Sequence, residues 1–158
     1  MALILFVHTV HVLLAGAWLG GVVFTTFVVS PALKSMKWDE AQRIGVRAVI
    51  GRRYARVGSA NLVLLAVFAV VDGVFGGFGT LLYAEYALIV ALFGLVAVHG
   101  AFFGRRLAGL AKAELEAKSA EEASAFALRR RDLQKLSLKA SWVNLAVSVV
   151  VLAFAANV

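Results

Sequence analysis

The sequence predicts an all-α integral membrane protein, a four-transmembrane-helix bundle with both termini on the outer side of the membrane. Three observations predict it. The first is composition: of 158 residues 62% are hydrophobic and one is proline, and the mean hydropathy of +0.89 is too high for a soluble domain while the chain is too short for two membrane domains. The second is the presence of four apolar runs, residues 2–30, 57–75, 81–104 and 140–158, each long enough to cross a hydrocarbon core about 30 Å thick once. The third is the distribution of charge. All 16 Lys and Arg fall in two segments, seven from Lys34 to Arg56 and nine from Arg105 to Lys139. Retention of basic loops on the cytoplasmic side then places both loops inside and both termini outside, in the plasma (inner) membrane of a multi-pass protein. A transmembrane barrel would need repeated alternating segments, which the sequence lacks.

The first run carries no charge before Lys34, and without a basic leader or a short apolar core it reads as a retained span rather than a cleaved signal. Gly16 and Gly20 within it, and Gly100 with Gly104 in the third span, have the spacing that lets a neighbouring helix approach. Ser30-Pro31 predicts an end or kink, because proline lacks the amide donor. From Trp38 to Gly51 the pattern places Ala41, Ile44 and Ala48 opposite Arg43 and Arg47, which predicts a short amphipathic helix at the cytoplasmic surface, with Trp38 as interfacial anchor. Arg52, Arg53, Tyr54 and Arg56 mark the inner edge of the second span.

Four glycines between Gly73 and Gly79 predict a turn, since no phosphate-binding Lys-Ser or Lys-Thr follows them. Residues 105–118 extend the third helix past the membrane. Ser119-Ala-Glu-Glu122 has the form of a capping box and predicts a new helix start, so that a helical hairpin projects into the cytoplasm before the last span. The whole chain is one membrane domain, residues 1–158.

Ionisable groups at membrane depth are costly and mark sites. His8 and His11, three residues apart, share one helix face about 60° apart. Asp72 ends the second span and Glu85 begins the third, so the topology puts two imidazoles and two carboxylates in one outer layer. By ligand type these suit copper(II), zinc or non-haem iron, or a hydrogen-bonded cluster without metal. His99 lies near the inner end of the third span, roughly 10–15 Å deeper than His8 or His11. An inner-layer hydrogen bond is its expected role, with Asn61 and Asn144 as candidate partners. Trp18 reads from its surroundings as packing.

Other classes find no support. Cysteine is absent, which excludes disulfides, thiolate metal sites and iron–sulfur clusters. The net charge of +7 is fully accounted for by topology, leaving no nucleic-acid footprint; its remaining use is contact with anionic lipids at the cytoplasmic face. No hydrolase nucleophile motif or nucleotide loop is present.

His11, followed by Trp18-Leu-Gly-Gly21 and then Ser30-Pro31-Ala32, resembles the first helix of two related membrane families. These are the copper-resistance D family, with which Arg53-Tyr54-x-Arg56 is also similar, and the four-helix membrane protoporphyrinogen oxidase family. The likeness spans roughly residues 8–106. It implies haem b bound through His11, with electron transfer or tetrapyrrole chemistry; His8, as second ligand or hydrogen-bond partner, Trp18 and His99 complete the candidate cofactor set, and the ligand opposite His11 comes from another helix, another subunit or nothing. The alternative it implies is copper binding, import or resistance, for which the outer-layer residues His8, His11, Glu85 and Asp72, by their type and depth, are the candidate metal ligands. Both families carry a lysine near the start of the third helix where this chain has only Glu85. With Met1 and Met36 the sole sulfur groups, Cu(II) capture fits better than a Cu(I) relay. A third expectation is a non-catalytic accessory subunit, in a homo-oligomer or a larger membrane complex.

Overall fold

The computed structural model describes residues 1–38 and 40–157, and within them not the side chains of Glu40, Ala41 and Ile44. Four long helices form the bundle: α1 (Ala2–Ser35), α2 (Glu40–Gly76), α3 (Thr80–Glu116) and α4 (Ala120–Ala155). Each is long and apolar enough to cross a membrane, so the chain is a multi-pass membrane protein in a lipid bilayer. The N-terminus, the α2–α3 turn and the C-terminus share one end, here the termini end; the other is the basic end.

The core follows from helical spacing. Buried residues recur on α1 at Val7, His11, Ala15, Trp18 and Val22, on α2 at Leu62, Leu65, Ala69 and Asp72, on α3 at Leu82, Glu85, Ile89 and Leu92, and on α4 at Ser148, Val151 and Ala155. Steps of three and four keep each set on one face. The opposite faces expose large apolar residues such as Leu13, Val57, Val90 and Val150, as lipid contact requires.

Several boundaries differ from expectation, each for a physical reason. Pro31 does not end α1. A π-helical segment, Thr25–Val29, precedes Ser30–Ser35 and accommodates the missing proline donor without breaking the helix. The amphipathic stretch is not a separate surface helix but the first turns of α2, continuous with the span; the expected apolar positions Ala41 and Ile44 lie outside the described side chains. In α3 a second π segment, Val98–Gly104, carries the helix past the apolar run.

The helical hairpin forms as predicted. Ser119 caps α4, its hydroxyl accepting from the Glu122 amide at 3.1 Å, while the Glu122 carboxylate accepts from the Lys118 amide at 3.0 Å. Arg130 on α4 donates to Glu114 on α3 at 2.7 Å and locks the hairpin.

The glycines sort differently from their spacing. A Cβ at Gly16, Gly20 or Gly100 would meet nothing within 4 Å, so these do not serve helix approach within the chain. Gly21 does: a Cβ there would lie 2.9 Å from the Tyr54 hydroxyl. Gly73, expected in the turn, is helical, and a Cβ on it would lie 2.6–2.7 Å from Leu82, Phe78 and Tyr86. The turn itself rests on Gly77, whose φ of +99° suits glycine alone.

Candidate functional site

The inward stripes of α1, α2 and α3 each carry one ionisable residue at the same level near the termini end. His11 is fully buried and lies between two carboxylates. Its Nε2 is 2.8 Å from Glu85 Oε1 and its Nδ1 is 3.3 Å from Asp72 Oδ2. His8, one turn nearer the chain end, places its Nδ1 3.0 Å from the same Asp72 oxygen. The result is a row, His8–Asp72–His11–Glu85, that crosses from the surface of the bundle to its interior. His8 is 29% exposed, whereas Glu85 is 0% exposed.

Tertiary packing fixes this geometry. Tyr86, the residue after Glu85, donates to the Ala69 carbonyl on α2 at 2.9 Å. The bare Cα face of Gly73 lets Leu82 and Tyr86 close against α2 one residue beyond Asp72. Those two contacts bring the start of α3 against the end of α2 and set Glu85 and Asp72 on either side of His11.

A cavity of about 150 Å³ lined by Ile4, His8, Asp72, Gly76, Gly77 and Leu82 opens onto the outer part of the row. Toward the basic end it is closed. One turn farther along α1, α2 and α3 come Ala15, Ala69 and Ile89, which pack with Leu62, Leu65, Leu92 and Val151 into one apolar cluster. Among the described residues, the four groups therefore meet a cavity at the termini end and an apolar layer on the other side.

The chemistry of the row is that of proton sharing. At each imidazole–carboxylate contact either the ring N–H donates to a carboxylate or a carboxyl O–H donates to a ring nitrogen, and the two differ only in where the proton sits. Two ionised carboxylates bring a charge of −2, so two protons spread over the four groups leave the cluster neutral. Departure from that count buries a net charge at high cost. Glu85 Oε2 is buried with no hydrogen-bond partner among the described residues, an uncompensated desolvation cost at the inner end of the row.

All four residues of the expected outer layer thus come together. The other two members of the expected cofactor set do not join them. Trp18 lies two turns along α1, donating from Nε1 to Ser148 Oγ at 2.9 Å, and Ser148 passes the bond to the Asn144 carbonyl at 2.7 Å. His99 is near the basic end, 3.4 Å from Ser137 Oγ and with its ring centroid 5.6 Å from that of Phe103. Its expected partners do not reach it: Asn61 donates to the Leu14 carbonyl at 3.1 Å, and the Asn144 side-chain oxygen is buried with no hydrogen-bond partner among the described residues. Ser148 was not foreseen as a partner of Trp18; the spacing of Ser137, Ser141, Asn144 and Ser148 along one face of α4 is the signal that identifies it.

As for a bound group, His11 turns both ring nitrogens to carboxylates, so an axial bond to haem iron would have to replace one of those contacts. Among the described residues, no group of three or more His, Cys, Asp or Glu is arranged to hold a metal ion.

Residues 13–116, about two thirds of the 158, match the family model described as Domain of unknown function (DUF4149). The matched region contains Asp72, Glu85, Trp18 and His99 and begins two residues after His11. No curated protein and no solved structure matches the chain.

Proposed function

The chain belongs to the DUF4149 family, and from the row of ionisable groups that its first three helices assemble we propose that it is a proton-handling membrane protein. In this reading it loads and releases protons from the termini end. The observation that carries the reading is His11, fully buried with both ring nitrogens on carboxylates. Chains of Asp, Glu and His inside a membrane serve proton relays and ion pathways. Here His8 and Asp72 meet the cavity, His11 accepts from or donates to both sides, and Glu85 is the terminal store. The apolar layer beyond it blocks passive leakage, so proton movement to the basic end requires a change in helix packing. On the positive-inside argument the termini end is extracytoplasmic.

Infrared difference spectra of the purified protein between two pH values test the proposal. Carboxyl and imidazole bands are expected that disappear selectively in Glu85→Gln and Asp72→Asn. Spectra unchanged by either substitution would refute it.

One observation favours a second reading. His8 Nδ1 and His11 Nδ1 both approach a single Asp72 oxygen, at 3.0 and 3.3 Å, and the −2 charge that two protons neutralise is equally neutralised by one divalent cation. Copper(II) or zinc would then compete with protons for His8, His11 and Asp72 once those side chains turn from one another toward a shared ion, with Glu85 behind His11. Titration of the protein with Zn²⁺ or Cu²⁺ alone should release protons if this holds; binding without proton release would separate the two readings. The haem b expectation is answered by the absorption spectrum of the same sample.

A further inference from the structure

At the opposite end of the bundle, α2 presents Val49, Arg52, Arg53 and Arg56 around a cavity of about 240 Å³. The steps of three, one and three put all four on one face of the helix. All three guanidinium groups are exposed, and among the described residues no ion pair joins any of them to a carboxylate. The chain pairs charges elsewhere: Arg130 with Glu114, Lys112 with Glu116, Lys135 with Asp132. Three like charges within two turns repel one another, a repulsion that an anion placed among them would relieve.

Its position says which anion. Arg56 is the last charged residue on α2 before Asp72, which puts the cluster at the boundary between the apolar span and water. Directly along the helix from Arg53, at steps of four, three, four and three, come Val57, Ala60, Leu64 and Val67, every one exposed and Val57 to 70%. A cationic cradle continued by an apolar stripe matches a molecule with a phosphate at one end and a hydrocarbon chain at the other.

We propose that Arg52, Arg53 and Arg56 bind the phosphate of an anionic phospholipid, whose acyl chain lies along Val57, Ala60, Leu64 and Val67. Guanidinium forks match phosphate oxygens two at a time, which lysine cannot do. A soluble phosphate would gain nothing from the stripe. This site is independent of the histidine–carboxylate row at the termini end.

Native mass spectrometry of the full chain, delipidated in detergent and offered phosphatidylglycerol or phosphatidylcholine, tests the proposal. Phosphatidylglycerol should bind more tightly than phosphatidylcholine by roughly 100-fold, the product of about a fivefold gain per arginine at a membrane surface. The preference should vanish in R52Q/R53Q/R56Q, weaken in the corresponding triple lysine variant, and persist in R129Q/R131Q, which alters the other basic segment. Should the triple variant fail to fold, R53Q alone is expected to lose about fivefold. Equal binding of both lipids, or a preference unchanged in R52Q/R53Q/R56Q, would overturn the site. Competition by millimolar inorganic phosphate as effective as that by the lipid would overturn the lipid as its occupant.

Discussion

Replacing His11 by leucine isolates the energetics of the buried row. In the native protein Glu85 is 0% exposed, has a contact to His11 at 2.8 Å through Oε1 and has no partner for Oε2. His11→Leu therefore leaves a carboxyl group with both oxygens orphaned. Breaking a buried charged pair by removing one partner costs ~3–5 kcal/mol, which is roughly 10²- to 10⁴-fold in the folded-to-unfolded ratio. Substituting both residues removes the orphan. Replacement of a whole buried pair by apolar residues is often neutral or stabilising, so H11L/E85L should be more stable than H11L. Reversible unfolding in mixed micelles, run as a double-mutant cycle, reads the coupling. A neutral H11L, or single effects that add in the double variant, would refute a direct His11–Glu85 interaction.

Four substitutions test the packing and the capping. Gly73→Ala should destabilise by ~1–3 kcal/mol, because three side chains must yield to the new methyl group. Gly16→Ala should leave the melting temperature in detergent unchanged or raised, and the reverse order of effects would contradict the assigned helix contacts. Trp18→Phe deletes one interhelical hydrogen bond and should cost ~0.5–1.5 kcal/mol by the same unfolding assay; a loss several times larger would mean that Trp18 does more than anchor Ser148. Ser119→Ala should cost ~1 kcal/mol of hairpin stability, measured by hydrogen exchange in the first turn of α4, with unchanged exchange there as the contrary result.

The fold was legible because the signals were redundant. Uncharged runs, segregated arginines and lysines, and a capping box at Ser119 each pointed to the same four helices. The outer layer was legible too, since topology alone gives His8, His11, Asp72 and Glu85 a common depth. Which nitrogen meets which oxygen was not, because that depends on rotation of each helix about its axis and on the Gly73–Tyr86 contact that sets it. Gly16 and Gly20 have the spacing of a contact motif but the wrong azimuth, whereas Gly21 and Gly73 have no such spacing and make the contacts. Pro31 predicts a break from local chemistry, yet the π turn over Thr25–Val29 keeps the chain helical. His99 shows the limit of depth arguments: its level excluded the outer cluster, but its partner Ser137 was set by the register of α3 against α4.

The central claim is that His11 shares protons with carboxylates on both sides. Nitrogen-15 resonance of selectively labelled histidine, recorded across pH with metal analysis on the same sample, tests it most directly. The account predicts that both His11 ring nitrogens are hydrogen-bonded and that both resonances respond to Glu85→Gln and Asp72→Asn respectively. A bare nitrogen on His11, or a resonance insensitive to those two substitutions, would contradict it.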